Sequence, residues 1–201
     1  MGLDLQKLFV FWRALMSNDS STGGYLPPQL PLPLNDVDLQ HFFHDVIVGI
    51  TGFENNLVIP SWQRNPPPIP SIEVDWCAFS FTRQSADNEP AQVQISDSLC
   101  EMRTNESINL ICTFYGDNAQ SFATALRDGI YMSQNREPML LAGMGLVGVE
   151  DIQHLPELKN DRYYQRYDLT IIIRREMRRQ FPILSLINSQ GTIYADNGSA
   201  V

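Results

Sequence analysis

The sequence predicts an α+β fold in which helices pack on one face of an antiparallel (mixed) β-sheet of about four strands. Apolar residues recur at three- and four-residue spacing in some segments and at every second position in others. The hydrophobic fraction of 43% is enough for a core, and the charged fraction of 18% is too low for a disordered chain. No stretch approaches the roughly 20 apolar residues of a membrane span.

Helical spacing first occurs in the N-terminal quarter of the chain. Residues 3–16 form an amphipathic pattern, interrupted by charges, that lacks the uninterrupted apolar centre of a signal peptide. A second helix is predicted to open at Asn35 with Asp38 in its first turn and to stop at Gly52. Its buried stripe comprises Leu39, Phe42, Phe43, Val46, Ile47 and Ile50.

A third helix is predicted after Gly116, with Asp117 and Gln120 as a capping box, and it runs to about residue 133. One face of it carries Ala119, Phe122, Ala123, Leu126 and Ile130. Pro138 suits the first turn of a short helix over residues 139–142, which Gly143 closes.

Strands are predicted where the period changes to two. The candidates are residues 57–62, 73–82, 91–95, 100–114, 146–152 and 163–181. The strand from residue 100 is either one long strand or two joined at residues 104–107. In 163–181 the odd positions are mostly apolar and the even positions mostly polar, which indicates one buried and one solvated sheet face.

Residues 1–201 are predicted to form a single domain with extended connectors and a flexible tail. Residues 25–35 include the run PPQLPLPL, and residues 65–71 are also proline-rich. Proline fixes φ and removes an amide donor, so both segments are read as extended connectors on the surface. Such arms suit lying on a neighbouring subunit, because little entropy is lost when they order. Residues 194–201 form the predicted tail.

The net charge of −9 disfavours nonspecific nucleic-acid binding by the whole chain, but the charge is uneven. Residues 159–180 contain seven basic and three acidic residues, which makes one basic element on an acidic body. Alternation places Arg166, Arg174 and Arg178 on one face of the last strand, and Arg175 and Arg179 on the other.

These five arginines are the candidate protein–protein interface, because the planar guanidinium pairs well with carboxylates and arginine is enriched at interfaces. Two alternatives stay open. One is a solvated face in which the arginines pair with Asp168 and Glu176 across neighbouring strands. The other is direct nucleic-acid binding, against which the interleaved acids count.

Other motifs point away from catalysis. Gly143, Gly145 and Gly148 match G-x-G-x-x-G by spelling, but a helix is predicted to enter and a strand to leave, the reverse of a dinucleotide site. His41 and His44 have a metal-compatible spacing but lack further ligands. The cysteines, Cys77, Cys100 and Cys112, are expected to be reduced thiols. We predict no catalytic, cofactor or metal site, and no enzyme.

Several short stretches resemble a family of tailed-phage and prophage proteins. They are Asp4-Leu-Gln-Lys-Leu, Val48-Gly-Ile-Thr-Gly, Asp75-Trp-Cys-Ala, Phe114-Tyr-Gly, Leu126-Arg-Asp-Gly, Gln134-Asn-Arg-Glu, Ala142-Gly-Met-Gly-Leu, Leu155-Pro-Glu-Leu and Phe181-Pro-Ile-Leu-Ser-Leu. The chain is similar through these to the neck or tail terminator (tail completion) proteins. The likeness covers nearly the whole chain, except the proline connector and the tail after Ile193.

The resemblance implies an α+β subunit of the virion, assembled in the host cytoplasm without catalytic residues. Such subunits form a ring, commonly a hexamer, that caps the tail tube and joins the tail to the head-side connector or stopper protein. Genomic DNA passes through the bore, and no membrane is involved. A head–tail adaptor or another tail-completion protein would share these features. A nucleic-acid-binding accessory protein and an unrecognised enzyme are the rivals from other classes.

Overall fold

A computed structural model describes residues 25–29, 32–159 and 161–183. The elements in chain order are α1 (Asp36–Thr51), a 3-10 turn (Asn55–Leu57), β1 (Val58–Pro60), β2 (Trp76–Ala86), β3 (Ala91–Ser96), β4 (Leu99–Tyr115), α2 (Ala119–Gly129), α3 (Ser133–Leu141), β5 (Met144–Val149), β6 (Gln153–His154), β7 (Glu157–Lys159), β8 (Arg162–Tyr164) and β9 (Arg166–Pro182). The helix predicted over residues 3–16 and the tail predicted over residues 194–201 lie outside the described residues.

Seven strands form the main sheet, in the order β1-β2-β4-β9-β5, with β3 also paired to β4 and β6 also paired to β9. The β1–β2 pair is parallel and the other pairs are antiparallel. Strands β7 and β8 form a separate hairpin. The predicted α+β class with a mixed sheet is therefore confirmed, but the prediction of about four strands is wrong. The shortest strands have two or three residues, too few to show an alternation.

The β4–β9 pair is the centre of the sheet. Both strands are 17 residues long, and their register is unbroken from Leu99 opposite Pro182 to Tyr115 opposite Arg166. Residues 100–114 therefore belong to one strand rather than two. The strand predicted over residues 163–181 is instead divided at Gln165, because Tyr163 belongs to the β7–β8 hairpin.

The core lies between the three described helices and one face of this sheet. The helices contribute Leu39, Phe43, Ile47, Ala119, Ala123, Leu126 and Met139, and the central strands contribute Ile108, Leu110, Cys112, Phe114, Leu169, Ile171 and Ile173. These strand residues are the even positions of β4 and the odd positions of β9, so the predicted alternation is confirmed. The opposite face is left without a helix among the described elements.

The observed helix boundaries agree with the predicted boundaries at some ends only. Helix α1 starts after Asn35 and ends at Gly52, whose φ of 75° is the left-handed conformation that glycine favours. Helix α3 starts at Ser133, so Pro138 lies inside it and the predicted start at residue 139 is wrong. Packing of the buried Met139 against the core outweighs the loss of one amide donor.

The N-terminus of α2 is capped by a residue that is distant in sequence. The Asn118 amide donates to Asp75 Oδ1 at 2.8 Å, and Asn118 Nδ2 donates to Asp75 Oδ2 at 2.9 Å. The predicted capping box of Asp117 and Gln120 is therefore wrong. A carboxylate is favoured at a helix N-terminus by the helix dipole. Since Asp75 immediately precedes β2, this contact joins the start of β2 to the start of α2.

Gly116 allows that contact to form. Its φ is 111°, and a Cβ at this position would lie 2.3 Å from Asp75 Oδ1 and 2.8 Å from Asp75 Cα. Any larger residue would displace the backbone that carries the cap.

We expect Gly116→Ala to lower the free energy of unfolding by about 1–3 kcal/mol, because the new methyl group meets Asp75 and the backbone conformation is strained. Gly49→Ala is the matched control: Gly49 lies in α1, where a new methyl group would have no atom within 4 Å, and it should stabilise by about 0.5–1 kcal/mol. Urea unfolding measures both. Equal effects of the two substitutions would contradict the role given to Gly116.

Candidate functional site

The outer face of the sheet is the side away from the helices, formed by the even positions of β9 and the odd positions of β4. Arg166, Arg174 and Arg178 lie on this face, as the alternation predicted. Arg175 and Arg179 lie on the helix side of β9. The five candidate arginines therefore occupy two different environments. Whether they contact another protein stays a prediction.

Arg166 occupies one end of the outer face and is already paired. Its Nε and Nη2 donate to the two carboxylate oxygens of Asp168 at 2.9 and 2.7 Å. Glu157 Oε2 lies 4.0 Å from Arg166 Nη1. The bond to Asp168 raises the pKa of the Arg166 guanidinium. Beside it, the Tyr115 ring stacks on Trp76 with ring centroids 4.4 Å apart, so this end of the face is a compact polar and aromatic cluster.

Arg178 lies at the other end, directly opposite Arg103 of β4. Like charges opposite each other destabilise a strand pair, and here each arginine has a carboxylate on its own strand. Arg178 donates to Glu176, and Arg103 Nε donates to Glu101 Oε1 at 2.7 Å. The pairs run along the strands, so pairing of Glu176 and Asp168 across strands is not observed. The Arg103 bond also lowers the pKa of Glu101.

Arg174 lies between these two neutralised ends and is exposed. It makes no ion pair with any residue that the structure describes. Its partner on the neighbouring strand β5 is Gly145, which has no side chain that could cover Arg174. Among the residues whose side chains the structure describes, Arg174 is therefore a cation without an ion pair near the centre of the outer face. Arg179, half-buried on the other face, likewise has no ion pair within the described part of the chain.

Arg175 is only 4% exposed and is used inside the subunit. Its Nε and Nη2 lie 3.0 and 2.9 Å from Glu106 Oε2. Nη1 donates to the Leu34 carbonyl, and Nη2 donates to Asn35 Oδ1 at 3.0 Å. This buried guanidinium therefore attaches the proline-rich connector to the sheet, and it is not available to another protein in this fold. Glu106 and Asn35 were not among the predicted site residues.

The connector lies along β9 of its own subunit. Gln29 N donates to the Gln180 carbonyl at 2.7 Å, and residues 32–34 line a recess with Gly143 and Met144. Residues 25–29 and 32–35 form neither helix nor strand, and the single-domain organisation with extended connectors stays a prediction. Because β5 pairs with β9 only over residues 171–175, the connector covers the β9 edge beyond it.

The glycine and histidine motifs singled out in the sequence lie in a turn and in local side-chain contacts. Gly143 has a φ of 71° in the turn from α3 to β5, so the helix enters and the strand leaves as predicted. His44 contacts Asp45 Oδ1 at 3.0 Å and the Asn55 carbonyl at 2.9 Å. Among the described residues, no three His, Cys, Asp or Glu side chains are placed to hold a metal ion, and no helix is long and apolar enough to cross a membrane. Cys77, Cys100 and Cys112 are unpaired thiols.

Arg175→Ala should lower the free energy of unfolding by about 3–5 kcal/mol, because it leaves the buried Glu106 carboxylate without its cationic partner and with only the hydrogen bond from Gln84 Nε2. Arg174→Ala, one residue earlier, should change it by about 0.5 kcal/mol or less, because Arg174 is exposed. Chemical denaturation of both variants measures the difference. Near-equal values would mean that the Arg175 cluster does not hold the fold together.

The Glu101–Arg103 pair should make stability depend on pH. Because the pKa of Glu101 is lowered from its ordinary value of 4.5 in the folded state, the pair stabilises at neutral pH and this contribution is lost as the pH falls below 4.5. The stability difference between wild type and Glu101→Gln should therefore shrink between pH 7 and pH 3. Glu54→Gln, at an exposed carboxylate with no ion pair in the described residues, is the control. A difference that stays constant with pH would contradict the assignment.

One comparison with known proteins identifies the family of the chain. A family model described as phage neck terminator protein matches residues 37–198, which include nearly all of α1 and every other described element. No curated protein matches the sequence. The family consists of structural proteins of the phage neck, so its members are virion components that contact other virion proteins. With most of its length covered by this match, the chain belongs to the phage neck terminator protein family.

Proposed function

We propose that the protein assembles into a hexameric ring that caps the tail tube of a tailed phage and joins the tail to the head-side connector or stopper protein. The subunits are made and assembled in the host cytoplasm and remain in the virion neck. Membership of the phage neck terminator family is the observation that carries this proposal. The ring, its stoichiometry and its two partners are the steps that go beyond the family.

The charge distribution supports contact between unlike surfaces. The chain has a net charge of −9, while β9 carries five of its 14 basic residues. Head-to-tail contacts between unlike patches close into a ring when the rotation between subunits allows it. Of the two exposed arginines of β9, Arg174 is better placed for such a contact than Arg178, because among the described residues it has no acidic partner of its own.

The same charge suits the passage of DNA through the bore. A surface with an excess of carboxylates repels phosphates, so DNA can slide past it without being held. Proteins that bind DNA instead neutralise several phosphates with basic residues. A ring structure with a strongly basic bore would contradict this part of the proposal.

The direct experiment is to measure the mass of the purified protein alone and after mixing with tail-tube protein, followed by imaging of any complex. A ring on the tube end supports the proposal, whether it is preformed or appears only with the tube. Binding to the head-side connector without any binding to the tube would instead indicate a head–tail adaptor.

The double variant Arg174→Glu, Arg178→Glu should weaken ring formation or docking at least about tenfold while the subunit stays folded. The double variant Arg64→Glu, Arg127→Glu changes the net charge equally, away from β9, and should assemble normally. Sedimentation and a tail-joining assay measure assembly, and thermal unfolding checks the fold. Normal assembly of the β9 variant would show that these arginines are only a solvated face.

A further inference from the structure

The sheet ends in two open strands on opposite sides of the β4–β9 pair. On the β4 side lies β3, all six residues of which are exposed. On the β9 side lies β5, the last strand of the sheet order. Within the residues that the structure describes, no strand pairs with the outer edge of either one. Their outward backbone groups are thus free to pair with another chain.

Neither strand carries a charged residue or a proline on its open edge; each has one register shift, between Gln94 and Ser96 in β3 and between Leu146 and Gly148 in β5. Proteins commonly place charged residues or proline on such strands, yet β3 reads AQVQIS and β5 reads MGLVGV, with no charge and no proline. The other edges carry such protection: β1 has three residues and ends in Pro60, β2 beyond its pairing with β1 contains Arg83, and the connector covers β9 beyond β5. The open edges also expose apolar side chains, at Ile95 and Val147.

We propose that β5 of one subunit pairs with β3 of the next, so that the sheets join around the ring. The inference rests on the proposed ring and names the contact that builds it. A second copy of the chain is the occupant because one subunit offers both halves: two uncharged edges of six residues each, on opposite sides of one sheet. Such a head-to-tail contact propagates from copy to copy until it closes.

The strand directions fit this contact. β3 runs antiparallel to β4, β4 to β9, and β9 to β5, so β3 and β5 run in opposite directions. A neighbour whose strands point the same way therefore presents β3 antiparallel to β5. The joined sheet keeps the antiparallel pattern of its interior strands, a pattern whose pairs are somewhat more stable per residue than parallel ones.

The registers also define how the strands must lie in the ring. β3 is centred opposite Glu101 of β4, while β5 is centred opposite Ile173, which faces Ile108 of β4. The two edges are thus offset by about seven residues, or about 23 Å, over the width of four strands of about 4.8 Å each. A ring accommodates this offset when its strands are inclined by about 50° to the ring axis, because neighbouring inclined strands are shifted along one another in the same way in barrels.

Charges beside the two edges are complementary. Arg174 lies one strand in from the β5 edge, next to Gly145. The exposed carboxylates Glu89 and Asp97 flank β3 at its two ends, and they have no ion pair within the described residues. Pairing of β5 with β3 brings an unpaired cation towards unpaired anions across the seam. In this arrangement Arg174, one of the interface arginines predicted from the sequence, lies beside the contact that the two open edges form.

Lysine substitutions test the pairing. Val147→Lys on β5 and Ile95→Lys on β3 add a charge to each edge, at residues 60% and 49% exposed. Leu158→Lys and Tyr131→Lys are matched controls at 58% and 52% exposure, away from both edges. We expect each edge variant to lower the association constant at least tenfold with an unchanged thermal unfolding curve, and the controls to assemble as wild type. Normal assembly of both edge variants would overturn the inference.

Cross-linking tests the contact directly. A chain with Gln94→Cys, Val147→Cys and Cys100→Ser should, on oxidation of the assembled protein, give a ladder of disulfide-linked multimers, whereas either new cysteine alone should give none beyond the dimer. Rings without a ladder would overturn the edge pairing while leaving the proposed function intact. Absence of rings, even with tail-tube protein, would overturn the proposed function and the inference together.

Hydrogen exchange on the dissociated subunit separates the other possible occupants. Fast exchange at the outward amides of β3 and β5, slowed at least tenfold in the assembled ring, supports pairing between copies. Slow exchange in the subunit alone would mean that residues 1–24 or 184–201 of the same chain already cover these edges, which would overturn the inference.

Discussion

The pairing of β4 with β9 is the constraint on which the other features depend. Its unbroken register places most apolar residues of both strands on the helix side and most charged residues on the outer face. The same register sets Glu106 opposite Arg175 and Arg103 opposite Arg178. A shift of one residue would exchange the two faces, so the core, the buried ion pair and the outer arginines are specified together.

This arrangement divides the basic strand into two kinds of arginine. Arg175 is enclosed and joins the sheet to the connector, so its contribution is to the stability of the subunit. Arg166 and Arg178 are compensated by acids on their own strand, and Arg174 is exposed without an ion pair among the described residues. Adjacent positions on one strand thus serve the fold and the outer surface separately, because successive side chains point to opposite faces.

The sequence predicts local features well and long-range partners poorly. The ends of α1 lie at the predicted Asn35 and Gly52, although the Asn35 side chain accepts from Arg175 and makes no capping hydrogen bond, and the faces of β9 follow from its alternation. The cap of α2 could not be found this way, because Asp75 lies 43 residues before the amide that it accepts from. Likewise Glu106 and Arg175 are 69 residues apart, and each alone looks like a polar interruption of an apolar face. Only the strand register shows that the two interruptions meet.

The burial of Arg175 has a consequence for how salt acts on the protein. Mobile ions screen exposed charges over distances of about 10 Å at 0.1 M ionic strength but act far less on enclosed pairs. The connector, held by an enclosed guanidinium, should stay on its own sheet in concentrated salt, while the proposed attraction between subunits at Arg174 should fade. Ionic strength should therefore separate cohesion within a subunit from the proposed attraction between subunits, and each subunit of a virion neck would keep its shape in varied external media.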